Sequence, residues 1–91
     1  MPMYRYYIYA IREDIQDALD SGDKFETYEA CEEAAVLDAD SFFCSVNDKY
    51  GGKENPIEVE IEIYRQKGKD WLLDNDLTFF PYKEAQGYEI V

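Results

Sequence analysis

Histidine is absent from this chain, which excludes Ser-His-Asp and Cys-His arrangements of nucleophilic catalysis at the outset. Cys31 and Cys44 stand thirteen positions apart in one stretch of helical periodicity, with no C-x-x-C spacing. Thirteen helical residues put them about 20 Å apart along the axis, whereas bridged Cα atoms lie roughly 4.4–6.8 Å apart. A disulfide and a zinc site are therefore both excluded, and the two read as small buried hydrophobes of a reduced protein. Acidic neighbours raise a thiol's pKa, so neither is an activated nucleophile.

Carboxylates are the remaining reactive groups. Two of them, suitably placed, hydrolyse glycosidic bonds, but 91 residues hold one modest core and no deep cleft. These acids read as solvated surface and the chain as a non-enzyme. Asp74, Asp76 and Thr78 alternate like the opening of a calcium loop, yet Phe79 fills the glycine position and Ala85 the position of the closing glutamate. A turn held by Asp and Asn side chains is expected there instead. Phosphate-cradling glycine motifs are missing, since Gly51-Gly52 alone is too weak. No metal and no cofactor are expected.

The carboxylates with the most informative spacing are Glu58, Glu60 and Glu62, which alternate with Ile57, Val59, Ile61 and Ile63. That period of two makes a half-buried strand with like charges about 6.6–6.8 Å apart on one face. Their repulsion must be offset. One possibility is a neighbouring strand that brings Arg5, Arg65, Lys67 or Lys69 across the sheet. The other is that the row, together with acids of the helix, forms an extended anionic surface like the phosphate path of a nucleic acid, open to a basic partner.

Charge along the chain supports the question. Between Glu13 and Asp48 twelve carboxylates face one lysine, Lys24, and this segment supplies most of the net charge of −12. Such a field attracts basic proteins and repels nucleic acid and anionic membrane. The 46% hydrophobic and 16% aromatic content exceeds that of a disordered acidic tail, so a folded domain is expected. No apolar run is long enough for a membrane span and no secretory leader is evident at Met1, so a cytoplasmic location is expected.

The elements that position these groups follow from periodicity. Tyr4 to Ile11 is a strand with Tyr4, Tyr6, Ile8 and Ala10 on one face and Arg5, Tyr7, Tyr9 and Ile11 on the other. Both faces are apolar enough for a central strand, or for one whose second face a partner covers. Residues 12 to 22 fit a short helix or an acidic loop equally. Thr27 caps a helix from Tyr28 to about Ser45, with Tyr28, Cys31, Ala35, Ala39, Phe42 and Val46 on one stripe and Glu29, Glu33 and Asp40 away from it. Asn47 to Pro56 reads as a loop. Ile57 to Tyr64 is a strand, Lys67-Gly68-Lys69-Asp70 a turn, Trp71 to Leu73 a return strand, Asp74-Asn75-Asp76 a second turn, Leu77 to Phe80 a third run, and Tyr88 to Val91 a last short strand. The expectation is a single α+β domain over 1–91, β-α-β-β-β, with a largely antiparallel sheet and one main helix packed on one face.

Small size, strong acidity, absent catalytic residues and a compact α+β pattern resemble, in composition, the small inhibitors that phages use against bacterial nucleases, anti-CRISPR proteins among them. The resemblance carries no motif and no residue role. It implies a viral, non-enzymatic inhibitor that engages a basic, nucleic-acid-binding protein and does not itself bind nucleic acid. Glu29, Glu32, Glu33, Asp40, Glu58, Glu60 and Glu62 are the partner-binding candidates. The alternative is a self-associating module, a homodimer among the possibilities, built on Tyr7, Tyr9 and Trp71 with acidity serving solubility alone.

Overall fold

The computed structural model describes residues 2–52, 55–81 and 88–90. Among the described residues five strands and one helix follow in the order β1 (Tyr4–Ala10), β2 (Ala18–Asp20), α1 (Tyr28–Tyr50), β3 (Val59–Lys67), β4 (Asp70–Pro81) and β5 (Tyr88–Ile90). All strand pairings are antiparallel and the order across the sheet is β2-β1-β3-β4-β5. The α+β architecture with one helix on one face of an antiparallel sheet is thus the expected one. Segment 12–22, expected as a short helix or an acidic loop, instead contributes β2, a short edge strand paired with Tyr7 to Tyr9 that adds a strand ahead of the helix to the expected β-α-β-β-β order.

Helix α1 begins where the capping chemistry places it: the Thr27 hydroxyl accepts from the Ala30 amide at 3.1 Å. It ends later than its stripe suggests. Asn47 belongs to the helix, not to a loop, because its side chain replaces the partners that a strand entry would lack. Its Nδ2 donates to the carbonyls of Phe43 and Ile57 and its Oδ1 accepts from the Ile57 amide. Gly51, at φ 77°, then closes the helix in the left-handed conformation that glycine adopts without strain.

Strand alternation builds the core. Tyr6, Ile8 and Ala10 of β1, Val59, Ile61 and Ile63 of β3, and Leu77 and Phe79 of β4 are buried beneath Cys31, Ala35, Val36, Ala39 and Val46 of α1. Phe43 adds an edge-to-face contact to Phe79, with ring centroids 6.1 Å apart. The stripe read from the sequence is therefore the packed one, joined by Val36, whereas the expectation that both cysteines are buried fails at Cys44, which is exposed while Cys31 is fully buried. At 100° per residue Cys44 has rotated off the stripe that Cys31 shares with Ala35 and Ala39.

The β3–β4 hairpin departs from expectation in one place. Gly68, with φ 63°, supports the tight turn between Lys67 and Asp70. The expected second turn at Asp74-Asn75-Asp76 is absent: β4 runs unbroken through it, and the irregularity is a register shift opposite Ile63 and Tyr64. A bulge absorbs the extra residue and keeps Leu77 and Phe79 on the helix side.

Candidate protein-interaction surface

A single helix covers one face of the sheet, and the molecule measures 44 × 30 × 19 Å, a thickness of two layers. Among the described residues no element packs on the other face, and strand alternation determines what lies there. Glu60 and Glu62 of β3 project to it, followed by Tyr64, which extends the same alternation. The register then orders these residues into rows across the sheet. Asp20, Tyr7, Glu62 and Asp76 stand side by side on β2, β1, β3 and β4, and next to them Ala18, Tyr9, Glu60 and Thr78 do the same. Directly opposite residues in such rows hold their Cβ atoms about 4.5–5.5 Å apart.

This arrangement concentrates negative charge that no described ion pair neutralises. The described ion pairs are Arg12–Asp14, Lys49–Asp17 and Arg65–Asp74, and none involves Glu58, Glu60, Glu62, Asp76 or Asp20. The cations expected to offset the row form no ion pair with it. Arg65 belongs to the helix side, across from Tyr4; Lys67 and Lys69 are at the hairpin tip; Arg5 turns its guanidinium onto the Trp71 ring, 4.3 Å from the centroid. Lys24 approaches the same ring at 5.9 Å. Hydroxyl groups do the work instead: Tyr64 donates to Glu62 at 2.7 Å and Thr78 to Glu60 at 2.8 Å.

The crowding bears on the ionisation of these groups. Burial, then the charges of Asp76, Glu62 and Glu58, push the Glu60 carboxyl above its ordinary value, against the Thr78 hydrogen bond. Burial and the carboxylates Glu62, Glu60 and Asp76 likewise raise the Tyr9 phenol. Tyr64 is pushed up to about 12, first by its hydrogen bond to Glu62 and then by burial. Arg5, Tyr6, Tyr7, Asp20, Glu62 and Tyr64 line a shallow open depression of about 340 Å³ in this face.

The candidate site residues fall on two surfaces. Glu58, Glu60 and Glu62 belong to the uncovered side of the sheet, and so do Tyr7, Tyr9 and Trp71, which the alternative reading had assigned to self-association. Tyr7 and Tyr9 hold their rings 5.9 Å apart. Glu29, Glu32, Glu33 and Asp40 ride on α1, on the opposite side of the molecule. The helix acids and the strand row therefore make two separate surfaces and not one extended anionic path, because the sheet lies between them.

Three contributors escaped the reading of residues alone. Tyr64 was within reach of it, since it continues the alternation of Glu58, Glu60 and Glu62. Asp76 was assigned to a turn, and Asp20 joins the row only through the pairing of a three-residue strand that carries little periodic signal. Among the described residues no group of three or more Cys, Asp or Glu side chains is placed to hold a metal ion. No described helix is long and apolar enough to cross a membrane. No protein-family model, curated protein or solved structure matches this chain.

Proposed function

We propose that this protein is a non-enzymatic binding protein that presents the uncovered face of its sheet to a basic protein, and that it acts as an inhibitor by occupying a nucleic-acid-binding surface of that partner. The observation that supports the reading is the row of Glu58, Glu60, Glu62, Asp76 and Asp20 with no cation paired to it, set among Tyr7, Tyr9, Tyr64 and Trp71. Carboxylates held at regular spacing offer a basic groove the acceptors that a phosphate backbone would offer. The tyrosines supply apolar area with polar tips, the composition of an interface core.

A second copy of the chain fits this face less well. A twofold dimer across it would set the acidic row of one copy against that of the other, at a net charge of −12 each. Light scattering at several concentrations checks this, and a concentration-independent monomer is the expected result.

The test is capture of partners on immobilised protein from a nuclease-treated bacterial lysate, with wild type compared to the open-face variant Glu60→Lys/Glu62→Lys and the helix variant Glu29→Lys/Glu33→Lys. A basic protein retained by wild type and by the helix variant, lost by the open-face variant and eluted by salt, supports the proposal. Retention that survives about 0.5 M salt, where the Debye length is only about 4 Å, refutes an electrostatic interface.

A further inference from the structure

The face holds one place that is more specific than its overall charge. Tyr7 of β1 stands directly opposite Asp20 of β2 on one side and Glu62 of β3 on the other. Tyr7 is 39% exposed, and all three residues line the shallow depression. Arg5 lines the same depression but its guanidinium is committed to Trp71, and neither Asp20 nor Glu62 enters an ion pair with it. Asp20 accepts only from the Gly22 amide and Glu62 only from the Tyr64 hydroxyl among the described side-chain bonds, which leaves each carboxylate acceptor capacity.

From this geometry we infer that the depression seats one arginine side chain of the basic partner, its guanidinium laid on Tyr7 and hydrogen-bonded to Asp20 and Glu62. The inference rests on the reading of the face as a surface for a basic protein and names the residue it selects. Guanidinium is flat, weakly hydrated, and carries five donors in a fixed fork, so it stacks on a ring while bonding carboxylates at its edge. An ammonium is a compact, strongly hydrated point charge and matches a row of carboxylates equally well but not an aromatic floor between two of them. The occupant is accordingly an arginine-bearing segment, and the remaining acids of the row, Glu60 and Asp76, add attraction that does not distinguish arginine from lysine.

Two probe peptides of equal length and charge, alternating Arg-Gly and alternating Lys-Gly, test the inference by titration of the full chain at low salt. Trp71, the one tryptophan of the chain, lies on the same face and reports binding by its fluorescence, and amide NMR shifts locate the contact. The arginine peptide is expected to bind about 2–5-fold more tightly, the range of one exposed cation–π contact. Tyr7→Leu, which keeps apolar bulk and removes the ring, abolishes that preference. Asp20→Asn and Glu62→Gln weaken the arginine peptide more than Glu29→Gln and Glu33→Gln, which lie across the molecule. Equal affinity for the two peptides, or a preference that survives Tyr7→Leu, overturns the arginine seat while the basic-partner reading stands. Equal losses from the helix and the sheet variants also overturn it, since a general field would then be the cause. Failure of both peptides to bind would sink the underlying reading along with it.

Discussion

Replacing Glu60 by glutamine is expected to stabilise the protein at neutral pH. Glu58 and Glu62 flank it at about 6.7 Å along the strand, and Asp76 is its diagonal neighbour on β4. Two unit charges at that distance repel by about 0.6 kcal/mol in a medium as polarisable as water, and by more beside the low-dielectric sheet. Physiological salt, with a Debye length of about 8 Å, reduces each contribution by roughly half. Three such neighbours sum to about 1–2 kcal/mol in this environment. Against this, the Thr78 hydroxyl now donates to a neutral oxygen, a loss of about 0.5 kcal/mol. The net gain is about 1 kcal/mol, or roughly 4–8 °C in Tm for a domain of this size.

The sign with pH follows from the direction of the Glu60 shift. Its folded-state pKa lies above the ordinary 4.5, so the folded protein binds this proton more readily than the unfolded chain. The group's contribution to stability is therefore fully favourable below that ordinary value and is lost as pH rises through the folded-state pKa. Thermal unfolding of wild type and Glu60→Gln, followed by circular dichroism, is expected to diverge at pH 7 and converge below about pH 4. A Glu60→Gln protein less stable than wild type at pH 7, or a gain that does not change with pH, refutes the picture of an uncompensated row.

Three further outcomes are expected. Asn47→Ala removes three hydrogen bonds and leaves the Ile57 amide and carbonyl without their partners, so the urea midpoint falls by the equivalent of about 2 kcal/mol with an unchanged m-value. Native protein reacts with a thiol reagent at Cys44 alone, because Cys31 is fully buried and its thiol is pushed up to about 11; Cys44→Ser leaves no fast-reacting thiol, and labelling of both cysteines at one rate would contradict the packing of α1. In an alkaline absorbance titration Tyr64→Phe removes a phenol that ionises near pH 12, and an unchanged high-pH limb would mean that its bond to Glu62 is absent in solution.

The sequence and the fold diverge in instructive places. Thr27, the stripe from Tyr28 to Val46 and the alternation of Ile57 to Ile63 were legible because each is a local rule: a cap needs one oxygen, and burial on one side imprints a fixed period. Asn47 misled for the same reason, since an asparagine shortly before a glycine pair suits a loop until Ile57 comes back to take its side chain, whereas Gly51 does lie just past the helix end. Asp74-Asn75-Asp76 carries turn chemistry, and only pairing with β3 overrides it by making the segment a strand with a bulge. Cys44 looked buried by residue type, but its angle on the helix leaves it in solvent.

The reactive inventory is a matter of residue types alone: a chain without histidine, without C-x-x-C spacing and without a glycine-rich phosphate motif has that inventory before it folds. Acidity, one strong helix and one strictly alternating strand were fixed in the same way, because charge and period are properties of neighbours in sequence. What acts together was decided by the tertiary structure. Placement of the helix on one face put Glu29, Glu32, Glu33 and Asp40 on one side of the molecule and Glu58, Glu60 and Glu62 on the other. Pairing of β2 with β1 brought Asp20 to Tyr7 across 13 residues, and pairing of β1 with β3 brought Glu62 to it across 55. Such a row has no counterpart in local pattern, because strand register depends on which distant segment supplies the hydrogen bonds.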